Sequence, residues 1–236
     1  MNAAFALTPP RRRGIELLDD PRADSATALR SLVDIARCNH LFGGVSAVLA
    51  EVRPALEAAR IDGRRVSLLD VGTGQGDIPL RVRQQAESIG VEVVTYGVEI
   101  TQALAAASRS ATGSAVVGSA LALPFADRSI DLVVCSQVLH HFEEPDGRHL
   151  LVELHRVARQ RVIVSEIRRS WAAAAGVWLA SWPLGFHPVS RHDGVVSVLR
   201  GYRRAELVEA IERATGRKPE AHDRRGFRVT ASWSPA

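Results

Sequence analysis

Lysine is almost absent from this chain. Lys218 is the only lysine among 30 basic residues, and it lies in a polar Arg-Lys-Pro-Glu turn near the end of the sequence. Mechanisms that require a buried lysine are therefore excluded. We attribute the many arginines to genome composition. Because the formal net charge is only +4, the composition by itself gives no reason to infer nucleic-acid binding.

Cysteines and long apolar runs are also scarce. The two cysteines, Cys38 and Cys135, lie far apart in apolar surroundings, which is typical of free thiols in a reducing compartment. The N-terminus meets two prolines after a very short apolar stretch, so we predict no signal peptide and a flexible tail over residues 1–13. The longest apolar run, residues 171–186, is too short and too interrupted to span a bilayer. We therefore expect a soluble, cytoplasmic protein.

Hydrophobic periodicity divides the rest of the chain into two parts. It predicts an N-terminal helical cap over residues 14–64, with a break at Gly43-Gly44 and an apolar face made by Leu29, Leu32, Val33, Ile35 and Ala36. From residue 65 onward, strands alternate with helices. The predicted strands are 65–71, 91–99, 114–120, 130–136, 159–167 and 227–233, and the predicted helices are 78–90, 101–111, 146–158 and 203–215.

Continuously apolar strands that alternate with helices predict an α/β, Rossmann-like, doubly wound fold. Its sheet is mostly parallel, with helices on both faces. We expect this domain to occupy residues 65–236, with the last strand antiparallel at the far side of the sheet. Residues 168–200 are predicted to form a lid or acceptor-binding insertion within it.

A glycine loop follows the first strand in the stretch "LLDVGTGQGD". Glycines 72, 74 and 76 give G-x-G-x-G, not the dinucleotide pattern G-x-G-x-x-G, because Asp77 stands at the position of the third glycine. A nucleotide P-loop is excluded because no Gly-Lys-Ser/Thr ending follows. The carboxylates of Asp70 and Asp77 flank the loop and would repel a pyrophosphate. They favour a ligand that carries an ammonium and a sulfonium, as S-adenosylmethionine does.

Glu99 ends the second strand, a little over twenty residues after the loop. An acidic residue there can bind both ribose hydroxyls of a nucleoside. Enzymes that use NAD share this feature, so Glu99 alone does not identify the ligand.

Four ordered stretches together resemble the class I S-adenosylmethionine-dependent methyltransferases. They are "LLDVGTGQGD", "YGVEIT", "GSALALPFADRSIDLVVCSQVLHHF" and "RVIVSE", and they span residues 66 to about 166. The chain is most similar to the subgroup that includes ubiquinone and menaquinone C-methyltransferases and related small-molecule enzymes. The resemblance implies a seven-stranded sheet and S-adenosylmethionine as the cofactor.

The resemblance also implies roles for individual residues. Ser119 stands where the family commonly has an aspartate near the adenine, so we expect weaker cofactor binding without its loss. The implied cofactor-binding residues are Asp70, Gly72, Thr73, Gly74 and Gly76 in the glycine loop, Glu99 and Ile100 at the ribose, Ser119, Ala120 and Leu121 beside the adenine, and Ser136 and Gln137 at the reactive end.

Three histidines are candidate catalytic residues. His140 and His141 follow the fourth strand, where the transferred methyl group should emerge, so one of them could line the acceptor pocket or accept its proton. They could equally pack or cap the next helix. His192 lies beside Asp193 in a predicted loop of the insertion and could be a base or a surface residue. No metal-ligand spacing emerges, so we predict no metal site.

The insertion also carries Trp171, Trp178 and Trp182 at helical spacing. Such a stripe usually packs in a core, but here it could form an aromatic wall for an apolar acceptor. Peripheral contact with a membrane surface is a weaker alternative, because the segment contains little basic character.

Together these features predict methyl transfer from S-adenosylmethionine to an oxygen or carbon of a small, apolar acceptor of the aromatic, polyketide or quinone type. Methylation of RNA or protein is disfavoured because the fourth strand is followed by Ser136-Gln137-Val138-Leu139 rather than by an Asn/Asp-Pro-Pro-aromatic motif. A non-catalytic partner protein that retains the fold is a further alternative. The sequence does not indicate the oligomeric state.

Overall fold

The computed structural model describes residues 8–12, 14–19 and 24–235. Its strands are β1 (Val66–Val71), β2 (Val93–Glu99), β3 (Ser114–Val117), β4 (Ile130–Ser136), β5 (Ala158–Ile167), β6 (Glu220–Arg224) and β7 (Arg228–Trp233). Its α-helices are α1 (Ser25–Leu41), α2 (Gly44–Asp62), α3 (Asp77–Glu87), α4 (Gln102–Thr112), α5 (Asp146–Val157), α6 (Trp171–Ser181), α7 (Pro188–Arg200) and α8 (Arg204–Thr215). Short 3₁₀ turns cover Leu17–Asp19 and Leu139–His141.

The seven strands form one sheet in the order β3-β2-β1-β4-β5-β7-β6. Strands β1 to β5 are parallel, whereas β7 runs antiparallel to both β5 and β6. The predicted doubly wound α/β fold is therefore confirmed. The chain reverses its direction of winding between β1 and β4, and ligands bind beyond the carboxyl ends of strands at such a point.

Strand β7 is antiparallel and lies beyond β5 at the far side of the sheet, as predicted, but it is not the edge strand. Strand β6 lies outside it and forms the edge. Sequence analysis missed β6 because its residues, "EAHDR", are polar and show no apolar alternation; the strand is largely solvent-facing.

Helix α2 belongs to the core of the sheet domain rather than to a separate cap. Its Val48, Val52 and Leu56 are fully buried in a cluster that includes Leu68 of β1 and Ile163 of β5. Helix α2, predicted as part of the cap over residues 14–64, thus packs on the sheet, whereas the predicted domain boundary after residue 64 stays a prediction.

A buried carboxylate ties α2 to the β6–β7 hairpin. Glu51 accepts hydrogen bonds from Thr230 Oγ1 at 2.6 Å, Ser232 Oγ at 2.9 Å and Arg224 Nη2 at 2.5 Å. Burial alone would raise the pKa of Glu51, but these hydrogen bonds outweigh it and hold the pKa below its ordinary value. Glu51 is therefore ionised and holds the helix and the hairpin together.

Helix α1 turns a polar face inward, contrary to the predicted apolar face. Ser31, Asp34 and Asn39 are buried, whereas Val33 and Ile35 are exposed. The reason is that α1 packs on polar partners instead of on the sheet: Ser31 Oγ lies 2.6 Å from Ser190 Oγ of α7, and His187 N donates to Asp34 Oδ2 at 3.0 Å.

The predicted insertion, residues 168–200, forms the helical pair α6–α7. Part of the predicted flexible tail is bonded to this region and to the segment that follows α7. Arg12 N donates to Leu199 O at 3.1 Å, and the buried Arg169 donates through Nε to Pro9 O at 2.8 Å. Residues 9–12 thus contact the rest of the chain, whereas residues 1–7 and 13 lie outside the described residues, and the predicted flexibility of the tail stays a prediction.

The expectation that the tryptophan stripe packs in a core is wrong, and its role as a wall for the acceptor stays a prediction. Trp171, Trp178 and Trp182 are 42%, 47% and 56% exposed, so they are not core residues, and none of them lines either of the cavities described below. Helix α6 instead turns its small residues, such as Ala173 and Gly176, toward the interior. Among the described helices, none combines the length and hydropathy needed to cross a membrane.

Candidate active site

The glycine loop connects β1 to α3 through backbone conformations that only glycine adopts readily. Gly72 has φ +70°, and a Cβ atom there would lie 2.4 Å from Val138 Cγ2. Gly76 has φ +76°, and its Cβ would lie 2.8 Å from Ala111 Cβ. Both positions combine positive φ with close packing, so the loop needs glycine for its shape and for its approach to β4 and α4.

Three carboxyl groups surround this loop. Asp70 is 1% exposed, and neither of its carboxylate oxygens has a hydrogen-bond partner among the described residues. Burial raises the pKa of Asp70 well above its ordinary value; the nearby Thr73 hydroxyl opposes this rise, and the charges of Asp77 and Glu99 add to it. Burial also raises the pKa of both neighbours, although Glu99 Oε1 accepts a hydrogen bond from Gly74 N at 2.5 Å. A bound cation would lower all three pKa values, so the site favours a positively charged ligand.

The remaining predicted cofactor residues lie at the same edge. The hydroxyl oxygens of Thr73 and Ser136 are buried without a partner among the described residues, and Ile100 is 63% exposed beside Glu99. Ser119 Oγ accepts a hydrogen bond from Leu121 N at 3.1 Å. The structure thus brings together the residues that follow β1 (72–76), β2 (Ile100), β3 (119–121) and β4 (Gln137).

A chain of hydrogen bonds that sequence analysis missed crosses the site. Arg228 Nη1 donates to Gln137 Oε1, and Gln137 Nε2 donates to Asn39 Oδ1. Asn39 Nδ2 then donates to Asp77 Oδ2 at 3.4 Å. Gln137 adopts φ +57°, which is unusual for a residue with a side chain. The two amides therefore have one orientation, set by a guanidinium at one end and a carboxylate at the other.

Glu166 fixes the position of His140. It is buried, its Nδ1 lies 2.8 Å from Glu166 Oε2, and its backbone N donates to Glu166 Oε1 at 3.2 Å. Burial alone would raise the pKa of Glu166, but the charge and hydrogen bonds of His140 hold it below its ordinary value. An ionised Glu166 fixes the ring orientation, so His140 presents Nε2 away from the sheet.

Glu16 faces both histidines of the predicted pair. Its carboxylate oxygens lie 3.7 Å from His140 Nε2 and 3.8 Å from His141 Nδ1. These three residues have ligand atoms within 4.8 Å of one another and could hold a metal ion. However, Arg200 Nη1 also lies 3.3 Å from Glu16 Oε1 and already places a permanent positive charge there. The prediction of no metal site therefore stays a prediction.

His192 does not lie where sequence analysis expected it. The predicted loop is part of α7, so that placement is wrong. Its Nδ1 lies 2.8 Å from Asp193 Oδ1, but Asp193 also accepts hydrogen bonds from Leu17 N and Leu18 N, at 2.9 and 3.1 Å. The His192 ring is half exposed and lines neither cavity. Its predicted catalytic role remains untested.

A cavity of about 160 Å³ lies beside Gln137. Its walls come from α1, α6, α7 and the β6–β7 hairpin, and its apolar lining includes Phe42, Val177, Phe186 and Phe227. Its polar lining includes Glu16, Asp34 and Arg228. Cys38 also lines it, but burial raises the pKa of this thiol to about 11, so it is not a nucleophile at neutral pH. We call this space the acceptor cavity, after the role proposed for it below.

His140 lines a different cavity. That space, of about 300 Å³, is bordered by Arg11, Arg12, Glu143 and Tyr202 and is more polar. Of the group Glu16, His140 and His141, it is therefore Glu16 that lines the acceptor cavity. Both cysteines are free thiols, as predicted.

The centre of the chain is similar to known methyltransferases. Residues 69–165 match the model of a family described as methyltransferase domain. The uncharacterized methyltransferase C25B8.09 of Schizosaccharomyces pombe is 32% identical over 151 residues, which cover 61% of this chain and 57% of that protein. The uncharacterized methyltransferase YcgJ of Bacillus subtilis is 33% identical over 94 residues, 39% of this chain and 36% of that protein. The matched part thus covers 57% of the length of the first of these curated relatives and 36% of the second.

Solved structures share the fold at low sequence identity. A SAM-dependent methyltransferase from Aquifex aeolicus superposes with a TM-score of 0.53 at 15% identity, covering 72% of this chain and 82% of that chain. Magnesium protoporphyrin IX methyltransferase from Synechocystis, with bound SAH, gives a TM-score of 0.52 at 16% identity and covers 83% of each chain.

Proposed function

We propose that this chain, which carries an S-adenosylmethionine-dependent methyltransferase domain in a class I fold, transfers a methyl group to a small molecule. The observation that carries the proposal is the buried carboxylate of Asp70. It has no hydrogen-bond partner among the described residues and lies beside a glycine loop with two further carboxyl groups of raised pKa. Such a site is costly when empty of positive charge and suits an ammonium and a sulfonium.

The proposed acceptor is small and largely apolar, of the aromatic, polyketide or quinone type, and it is methylated on oxygen or carbon. The acceptor cavity supports this, since phenylalanines and aliphatic side chains dominate its lining and Gln137 joins it to the cofactor loop. The quinone-type acceptor rests on the sequence resemblance alone.

S-adenosylmethionine, when bound, supplies an electrophilic methyl group on its sulfonium. Asp70 would pair with the positively charged part of the cofactor, and Glu99 would accept hydrogen bonds from its ribose. The chain's main task is to hold the acceptor in line and free of water, which can lower a barrier by roughly 7–11 kcal/mol. Glu16 would accept the proton of the acceptor. His140 and Arg200 would hold the carboxylate of Glu16 in position.

Calorimetry with S-adenosylmethionine and its demethylated product tests the cofactor assignment. We expect Glu99→Gln to lower the binding affinity for both ligands at least about tenfold, because a charged hydrogen bond to the ribose is lost. Glu92→Gln, at an exposed position just before β2, serves as the matched control. If the unaltered protein binds neither ligand, the proposal fails at its first step. Binding without turnover against a panel of phenols and hydroquinones would instead favour the non-catalytic alternative.

A second pair of variants tests the proton acceptor. Glu16→Gln should lower kcat by about 10²–10⁴-fold while cofactor affinity is retained, because general-base catalysis contributes about that much. His192→Ala should change kcat little, since its ring is half exposed and does not line the acceptor cavity. The opposite ranking would assign the base to His192, one of the three histidines that sequence analysis named as candidates.

A further inference from the structure

Arg228, the first residue of β7, is a buried cation in the acceptor cavity. It is 4% exposed, and it lines the cavity wall. Its hydrogen bonds go to neutral oxygens: Nε donates to Phe42 O at 3.2 Å, and Nη1 donates to Gln137 Oε1. No carboxylate among the described residues forms an ion pair with it. Leaving a buried guanidinium without an anion is costly, which suggests that a ligand supplies the anion.

The guanidinium keeps its charge despite this burial. Desolvation lowers the pKa of Arg228 to about 10, which still leaves it protonated at neutral pH. The charges of Cys38 and Glu166 also act on it. Glu166, however, is bonded to His140, and Cys38 is a protonated thiol, so neither neutralises Arg228.

A second unmet group lines the same cavity. Asp34 Oδ2 accepts a hydrogen bond from His187 N, but Asp34 Oδ1 is buried without a partner among the described residues. Asp34, Cys38 and Arg228 all line this cavity, so the two unmet groups face the same space. A ligand that satisfies both needs an anionic group for Arg228 and a hydrogen-bond donor for Asp34.

The position of Arg228 favours the acceptor over the cofactor as the source of this anion. The cavity it lines is walled by α1, α6 and α7, which lie outside the matched methyltransferase domain. None of Asp70, Gly72, Gly74 and Glu99 lines that cavity. Gln137 connects Arg228, through Asn39, to Asp77 beside the glycine loop.

We propose that the acceptor is a hydroxylated aromatic or polyketide carboxylic acid whose carboxylate pairs with Arg228 and whose hydroxyl donates to Asp34. The inference rests on the proposed methyltransferase function and names the acceptor class of that same site. A guanidinium and a carboxylate form two parallel charge-assisted hydrogen bonds, so Arg228 is a residue that determines acceptor specificity.

The test uses the whole chain loaded with S-adenosylhomocysteine. The probes are 2-, 3- and 4-hydroxybenzoate, each paired with its uncharged amide of nearly the same shape, and binding is measured by calorimetry. We expect at least one hydroxybenzoate to bind about tenfold or more tightly than its amide. Arg228→Gln should bring that ratio to within about twofold, and Arg228→Lys should retain part of it. Arg213→Gln, at an exposed arginine of α8 that pairs with Glu209 on the surface, should leave the ratio unchanged.

Two results would overturn the inference. One is a wild-type protein that binds S-adenosylhomocysteine but prefers no carboxylate over its amide, and this result stands even if Arg228→Gln does not fold. The other is a variant, Gln or Lys, that loses the preference for S-adenosylmethionine over its decarboxylated form, because Arg228 would then hold the cofactor's own carboxylate. Failure of the wild type to bind S-adenosylhomocysteine would contradict the methyltransferase proposal itself.

Discussion

Replacing Asp70 with asparagine should stabilise the ligand-free protein and, at the same time, remove its response to S-adenosylmethionine. The wild-type carboxyl group is buried at the end of β1 with no hydrogen-bond partner for either oxygen among the described residues, and two other carboxyl groups act on it. Asparagine has nearly the same shape and carries no charge. The substitution therefore removes the unfavourable charge without leaving a cavity.

The gain in stability of Asp70→Asn follows from the raised pKa of the wild-type carboxyl group. The folded pKa of Asp70 lies well above the ordinary value of 3.8, so the folded protein holds this proton more tightly than the unfolded chain does. Stability contributed by this group is therefore greatest below pH 3.8 and is lost as the pH rises toward the folded pKa. A tenfold difference in proton affinity between the folded and unfolded states corresponds to about 1.4 kcal/mol. Asp70→Asn should match the wild type near pH 4 and exceed it by at least about 1.4 kcal/mol at pH 8.

Urea unfolding at several pH values between 4 and 8 measures this difference, and thermal melting with and without S-adenosylmethionine measures the ligand response. Asp62→Asn is the control, because Asp62 is exposed and forms only a surface ion pair with Arg64 at 3.3 Å. Cofactor affinity of the wild type should rise with pH over the same range, since the bound cation favours the ionised carboxyl group. A variant that is less stable than the wild type at pH 8, or that still melts higher with the cofactor, would refute this reasoning.

Two further substitutions have equally specific outcomes. Glu51→Gln should lower the free energy of unfolding by about 1.5–3 kcal/mol at pH 7, because charge-assisted hydrogen bonds to a buried carboxylate are lost; Glu57→Gln, exposed on the same helix, should have little effect. The lowered pKa of Glu51 means that this difference should shrink as the pH falls below 4.5, and a constant difference would contradict it. Gly72→Ala should abolish cofactor binding, since its Cβ would strike Val138, whereas Gly90→Ala, with φ +75° and open space around it, should cost only about 1–2 kcal/mol. Calorimetry and urea unfolding check both, and equal losses in the two alanine variants would show that the contact with Val138 is unimportant.

The sequence by itself determined the framework of the cofactor site. Strand and helix periodicity, the glycine loop and an acidic residue at the end of the second strand are local patterns, and each depends on neighbours along the chain. Parallel strands then place their carboxyl ends at one edge, so the positions of Asp70, Glu99 and Ser136 follow once the sheet order is known.

The proposed acceptor side was decided only by tertiary structure. Glu16, Asn39 and Arg228 come from distant parts of the chain and meet around Gln137 and His140. Helix α1 buries polar residues because it covers a site rather than the sheet, and the tryptophans face solvent because α6 packs through its small residues. Periodicity identifies which face of a helix differs from the other, but what that face meets depends on long-range packing, which no local pattern encodes.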